Sequence, residues 1–396
     1  MTAVLAFAVT LLLAVLISDL AHRSVLSTAV LFLLAGFLAG DGMLSIMPLQ
    51  ADNPVISIFA ELALFSVLFT DGMRVGFRDL TSAWELPGRA LFLGLPLTLL
   101  ITAALAYVVA DLSWPEALLF GAILSPTDPV FAAAIVGREE VPARLRHLLN
   151  VESGLNDGLA LPLVLIMLAM LGETEVGFHT FLELVIGVAV GIVVPWIAIR
   201  LEETRFFATT SEYEPLHAFA IGLLVFSIMA LTHANEFLAA FAAGITIATM
   251  SKNLREEFQK FGELVTELLK LAGLLVFGAL ILPQFLGEIS WSGYILVLLV
   301  LLLARPLALG VALLGSQLTS KEKVTVAWFG PKGFASVFFG LLILEAGVER
   351  SDHLFHLVAV VIAGSIIAHS STDVLVARWF HRHEAEPLHT VDKRAS

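Results

Sequence analysis

The sequence predicts an all-α polytopic membrane protein of 13 transmembrane helices, and three observations carry that reading. Hydrophobic residues make up 58% of the 396 residues and charged residues only 14%, with a mean hydropathy of +0.93. A soluble globule carries roughly a quarter charged residues to keep its surface wet, so lipid must be the solvent for this excess of apolar side chains. The apolar residues fall into runs of about 20, the length an internally hydrogen-bonded helix needs to cross hydrocarbon. Lysine and arginine cluster in every second connection between those runs, as the positive-inside rule requires.

In chain order the runs are 2–21, 24–40, 54–72, 88–110, 115–136, 149–171, 178–200, 215–232, 235–250, 262–282, 291–315, 324–345 and 354–377. The first starts without a basic leader region or a small-x-small cleavage site and is expected to be a retained helix. The fifth and twelfth are interrupted by proline and glycine and are expected to be broken helices. With the N-terminus outside, connections after odd-numbered spans are cytoplasmic. They and the C-terminal segment hold Arg23, Arg74, Arg78, Arg89, Arg138, Arg144, Arg146, Arg200, Arg205, Lys252, Arg255, Lys260, Lys321, Lys323, Arg378, Arg382, Lys393 and Arg394. The opposite connections hold Arg350 alone among basic residues, beside Asp41, Asp111, Glu116, Glu236 and Glu288. This alternation would collapse if one early span were miscounted, so it predicts N-out and C-in. Residues 1–380 form one transmembrane domain, and 381–396 read as a short cytoplasmic tail.

Composition also excludes several functions. No cysteine is present, which removes disulfides, thiolate metal sites and a cysteine nucleophile. A net charge of -13 argues against nucleic acid as a partner.

Ionisable residues at membrane depth are costly and normally face a cavity or a partner. The informative ones here are Glu61, Asp71, Asp128, Glu152, Asp157, Glu267, Lys270, Arg305 and Lys332. In Ser125-Pro126-Thr127-Asp128-Pro129, two prolines remove amide donors and disfavour helix in the residues before them. Unwound backbone at depth is tolerated where it lines a cavity, and broken helices recur at the ion sites of transporters. The next span opens with Asn150-Val151-Glu152-Ser153-Gly154-Leu155-Asn156-Asp157-Gly158. Ser153 and Asp157, four apart, share a face, and Glu152 and Asn156 form the adjacent stripe. Carboxylate, amide and hydroxyl oxygens at that spacing suit a hard monovalent cation. Gly330-Pro331-Lys332-Gly333 is a second break, and Glu152 is the expected acidic partner of Lys332. Glu263, Glu267 and Lys270 read as an interfacial ion-pair stripe, Arg305 as a buried charge without an assigned partner, and the 28 phenylalanines as lipid-facing bulk.

Thr127-Asp128-Pro129, Glu152 to Gly158 and Gly330-Pro331-Lys332-Gly333, in this order and spacing, resemble the cation:proton antiporter-1 family. That family includes the NhaP-type sodium/proton antiporters and the animal sodium/proton exchangers, and the likeness covers essentially the whole chain. The resemblance implies an inverted repeat, spans 1–6 and 8–13, with spans 4–6 and 11–13 (about 88–171 and 291–377) as a mobile core. Spans 1–3 and 7–10 would form a dimerisation scaffold. It further implies that Asp157 binds cation or proton, that Thr127 and Ser153 supply oxygens to Na⁺, and that Asp128 acts through water or supports the break. Asp71 matches an acidic position on the third span that the resemblance places among the ion-binding residues. Two positions depart from the family pattern: Lys332 stands where arginine is usual, and Asp71 where glutamate is more usual.

The expected function is secondary exchange of Na⁺, with Li⁺ as a further substrate, for H⁺. One carboxylate per cycle, with asparagine rather than a second aspartate before it, suggests electroneutral 1:1 stoichiometry. The expected setting is a bacterial inner membrane, as a multi-pass homodimer with no cofactor and no enzymatic activity. Exchange of K⁺ is the alternative within this class, and a cation channel is the alternative outside it. An intramembrane hydrolase would need a metal motif such as His-Glu-x-x-His, which is absent, or a dyad such as Ser365 and His369.

Overall fold

Helices supply every regular element among the described residues of the computed structural model. These residues are 1–18, 27–49 apart from 42 and 48, 54–76, 86–128, 141–172, 178–204, 206, 207, 209, 210, 213–232 and 234–384. In order they form α1 (Thr2–Leu16), α2 (Thr28–Ala39), α3 (Pro54–Arg74), α4 (Leu86–Val109), α5 (Trp114–Leu124), α6 (Ala143–Leu171) and α7 (Phe178–Glu202). There follow α8 (Glu214–Thr232), α9 (Glu236–Met250), α10 (Lys252–Leu280), α11 (Trp291–Ala312), α12 (Ser320–Trp328), α13 (Phe334–Glu345) and α14 (Ser351–Glu384). A short helix, Pro283–Glu288, links α10 to α11.

Each sequence run contains one of these helices, and α12 and α13 are the two halves of the interrupted twelfth run. Among the described residues, seven helices are long and apolar enough to cross a membrane, or up to eight if α9 and the start of α10, bent by 119°, count as one span. α10 begins well before the run at 262–282, because Ser251 accepts a hydrogen bond from the Leu254 amide and the polar turn after it remains helical. α14 likewise extends to Glu384, beyond the run ending at 377, while 385–396 lie outside the described residues.

Two π turns, Ala90–Gly94 in α4 and Val300–Ala304 in α11, were not expected from the sequence. Each directly precedes a proline-containing turn, at Pro96 and Pro306 respectively. A π turn inserts an extra residue into the helical register and is common at functional sites. Arg305 follows the second one.

Close backbone approach binds the helices where lipid offers no hydrophobic drive, as small residues do in membrane bundles. A Cβ added at Gly244 of α9 would lie 2.3 Å from the Phe69 carbonyl oxygen of α3, and one at Gly278 of α10 would lie 2.3 Å from that of Leu33 in α2. Phenylalanine meets its expected lipid-facing role only in part. Phe32, Phe120, Phe277, Phe329, Phe334, Phe338, Phe339 and Phe355 are fully buried and fill the space between helices. Outward-facing positions carry Phe92 and Phe181 beside residues such as Leu12, Leu100, Val108, Leu298 and Leu302.

Candidate functional site

α5 stops at Leu124, and Ser125 to Asp128 continue as non-helical backbone. Pro129 and the remainder of the fifth predicted span lie outside the described residues. α12 stops at Trp328 and α13 starts at Phe334, leaving 329–333 unwound. The two breaks meet. The Asp128 amide donates to the Pro331 carbonyl at 3.0 Å, and the Phe334 amide donates to Asp128 Oδ2 at 3.4 Å. Ser336 Oγ donates to the Ile123 carbonyl at 2.7 Å, satisfying an acceptor in the last turn of α5. Asp128 thus places a carboxylate at the N-terminus of α13, where the exposed amides and helix dipole favour negative charge.

Both glycines of Gly330-Pro331-Lys332-Gly333 make room for a charged side chain. A Cβ at Gly330 would sit 2.1 Å from Arg305 Cδ, and one at Gly333 would sit 2.1 Å from Asp128 Cβ. The Lys332 amide donates to Ser365 Oγ at 2.9 Å. Ser365 Oγ lies 3.1 Å from His369 Nδ1, and His369 Nε2 lies 2.9 Å from the Trp328 carbonyl. Ser365 and His369 therefore span the break in α14's shadow, holding one backbone group on each side of it.

Across the breaks, α6 presents Glu152, Ser153, Asn156 and Asp157, all buried. Asn156 Nδ2 donates to the Thr127 carbonyl at 3.0 Å and to Thr127 Oγ1 at 2.8 Å. Because a carbonyl only accepts, this contact fixes which end of the amide faces Thr127. Asn156 Oδ1 is left buried with no partner among the described residues. Asn156 thus ties down the unwound backbone with its nitrogen and keeps its oxygen available. Thr127 Oγ1 and Ser153 Oγ are 3.5 Å apart. Asp157 is 3% exposed.

The expected Glu152–Lys332 pair does not form. Glu152 instead receives both arms of Arg305, NH1 to Oε1 at 2.7 Å and NH2 to Oε2 at 2.9 Å, while Arg305 Nε donates to the Val326 carbonyl. A planar guanidinium matches a carboxylate with two parallel hydrogen bonds, which a lysine ammonium cannot do. Lys332 is buried beside this pair, within electrostatic reach of both of its charges.

Lys270 also departs from expectation. It is no interfacial residue: it is 2% exposed, with Nζ 3.5 Å from Asp128 Oδ2 and 5.0 Å from the Phe334 ring centroid. On the opposite side, Asp71 of α3 is buried and receives Arg74 NH1 at 3.2 Å, and Arg74 Nε reaches Glu263 at 3.3 Å. Thr70 and Thr266 hydroxyls meet at 2.8 Å and join α3 to α10. The spacing of Glu263, Thr266, Glu267 and Lys270 on one helical face was the available signal, since their depth depends on α10 starting early. The charges that weigh most on Asp157 are those of Asp71, Asp128, Lys270 and Arg74.

Comparison with known proteins gives a consistent result. The family model described as sodium/hydrogen exchanger, transmembrane, matches residues 8–378. The K(+)/H(+) antiporter NhaP2 of Shewanella sp. (strain MR-4) is 26% identical over 377 residues, covering 92% of this chain and 64% of that protein. The K(+)/H(+) antiporter NhaP of Alkalimonas amylolytica is 24% identical over 384 residues, covering 95% of this chain and 66% of that protein. The chain thus spans about two thirds of the length of these relatives. The sodium proton antiporter MjNhaP1 from Methanocaldococcus jannaschii has the same fold, with a TM-score of 0.79, 20% identity, and coverage of 96% of this chain and 99% of that one.

Proposed function

The chain belongs to the sodium/hydrogen exchanger family, and from that premise we propose that it exchanges a monovalent alkali cation for a proton by alternating access, with Asp157 holding one or the other. One observation carries this reading: the buried Asp157 carboxylate lies on α6 four residues after Ser153, whose hydroxyl meets that of Thr127 at the first break, and within electrostatic reach of Asp128 where the two breaks meet. Burial penalises a bare carboxylate, and either a proton or a cation relieves that penalty. The two ligands compete for one group, and competition across a site open to one side at a time is antiport.

In this proposal thirteen spans run N-out and C-in. Spans 4–6 and 11–13 move as the core against a homodimeric scaffold of spans 1–3 and 7–10 in a cell membrane. The hydrogen bonds between the two breaks and the Glu152–Arg305 pair all fall within the proposed core, which supports that division. Na⁺ is the first reading, with Li⁺ as a further substrate. K⁺ is the second, favoured by the names of the two bacterial relatives. Carboxylate and hydroxyl oxygens accept either ion, and cavity size separates them.

The test uses purified protein in liposomes with a trapped pH dye, exposed in turn to Na⁺, K⁺ and Li⁺. Proton movement with Na⁺ and Li⁺ that is lost in Asp157→Asn supports the first reading, and a K⁺ response supports the second. Charge movement without proton movement would overturn exchange and leave a channel.

A further inference from the structure

We infer that Lys270 sets the charge capacity of the site, restricting it to one added positive charge and so to monovalent ions. The inference rests on the proposed cation binding at Asp157. Lys270 arises from α10, outside both broken helices, yet its ammonium lies 3.5 Å from Asp128 Oδ2 with both side chains 3% exposed. Arg74 stands against Asp71 at 3.2 Å, although it is 31% exposed and also reaches Glu263. Around Asp157 the dominant neighbours are therefore two carboxylates and two cations, each carboxylate paired with a cation. The surplus is the charge of Asp157 itself, which one proton or one alkali ion cancels. Glu263 also touches Arg74, but it is 41% exposed, and water screens it. Glu267, one turn from Lys270 on α10, is less buried than Lys270 and sits farther toward solvent exposure.

Removal of the Lys270 charge leaves two surplus negative charges near the first break, where Thr127 Oγ1, Ser153 Oγ and Asn156 Oδ1 supply further oxygens. Such an oxygen-rich, doubly negative site suits a small divalent cation. Lys270 is a positioning and valence-setting residue here, acting through Asp128 and through its field.

The experiment measures cation-dependent thermal stabilisation of the purified protein by Na⁺, K⁺, Li⁺ and Mn²⁺ at fixed pH. It compares wild type, Lys270→Met, Lys270→Arg and Lys270→Met/Asp128→Asn. The expected result is a fall of about tenfold or more in the Mn²⁺-to-Na⁺ midpoint ratio in Lys270→Met, as follows from deleting one unit charge near a buried site. Lys270→Arg keeps the wild-type ratio, and the double variant, in which the surplus is again one charge, returns to it. A purely structural role for Lys270 would not be reversed by a second substitution. If Lys270→Met does not fold, Asp128→Asn gives the mirror test: the surplus vanishes, alkali-ion binding weakens, and the double variant recovers it. A responsive wild type with an unchanged ratio in Lys270→Met, or a double variant that fails to recover, overturns the inference alone. A wild type unresponsive to every monovalent ion overturns the exchanger reading beneath it.

Discussion

Replacing Glu152 by glutamine removes the carboxylate that both arms of Arg305 grip while leaving a neutral group of nearly the same shape. Arg305 is 5% exposed, so its charge cannot turn to water when its partner is lost. Removing one member of a buried ion pair costs about 3–5 kcal/mol, because the other charge is stranded. A Coulomb estimate for charge centres ~4 Å apart at an effective dielectric of ~20 gives about 4 kcal/mol, in the same range. Arg305 also donates to Val326 at the end of α12, so the loss should loosen α6, α11 and α12 together. The assay is equilibrium unfolding in SDS across the set Glu152→Gln, Arg305→Met and the double variant. Each single change should cost about 3–5 kcal/mol, and the double should cost less than their sum by about 2 kcal/mol or more, since it strands nothing. A parallel cycle between Glu152 and Lys332 should give a smaller coupling than the Glu152–Arg305 cycle, because Lys332 meets Glu152 only through its field and makes no hydrogen bond to it. Strong coupling to Lys332, with none to Arg305, would refute the pairing.

Asn156→Asp replaces the donor facing the Thr127 carbonyl with an acceptor, and should lower stability by about 1–3 kcal/mol in the same unfolding assay. Unchanged stability would contradict the amide orientation. Glu322, just before the twelfth predicted span, is opposed by burial, but hydrogen bonds from Arg144 at 2.7 and 2.6 Å and from Thr319 outweigh it and hold its carboxyl below the usual range. A lowered folded value stabilises the protein above the unfolded carboxyl value and loses that contribution as pH falls through the folded one. The thermal-stability gap between wild type and Glu322→Gln should therefore be full near pH ~7 and close by pH ~3. A gap independent of pH would assign the contact to packing instead.

The breaks were legible because proline and glycine act locally: Pro126 and Pro331 remove specific amides, and that consequence needs no knowledge of the neighbouring helix. The shared face of Ser153 and Asp157 was legible for the same reason, as helical spacing alone brings them together. Partners between helices were not. Lys332 lies in a motif and invites pairing with Glu152, but the choice depended on where Arg305 points after a π turn that leaves no clear mark in Val300–Ala304. Lys270 looked interfacial because the charged residues before it read as a loop, whereas α10 is continuous from Lys252 to Leu280 and carries that stripe into the interior. Each of these misreadings concerned the depth or rotation of a side chain, which local pattern does not encode.

Backbone unwound at membrane depth must find its hydrogen bonds within the protein. Here the two breaks supply them to each other: Asp128 N–H to Pro331, Asp128 carboxylate to Phe334 N–H, and Ser336 to Ile123. The glycines of the second break give way to Arg305 and Asp128, so charged groups rather than apolar ones fill the space beside the unwound chain. Sliding α5 past α13 would strand several of these groups at once, each at a cost of about 1–3 kcal/mol. Lys270 stands apart, because it grips Asp128 from α10, outside the two breaks. A motion of α4, α5, α6, α11, α12, α13 and α14 as one body keeps the hydrogen bonds between the breaks and those from Ser365 and His369, and strains the charge contact of Lys270 with Asp128. In the proposed exchange, neutralising Asp157 would change the field that Lys270 and Asp128 share, so the ion bound there would also set how firmly that contact is held.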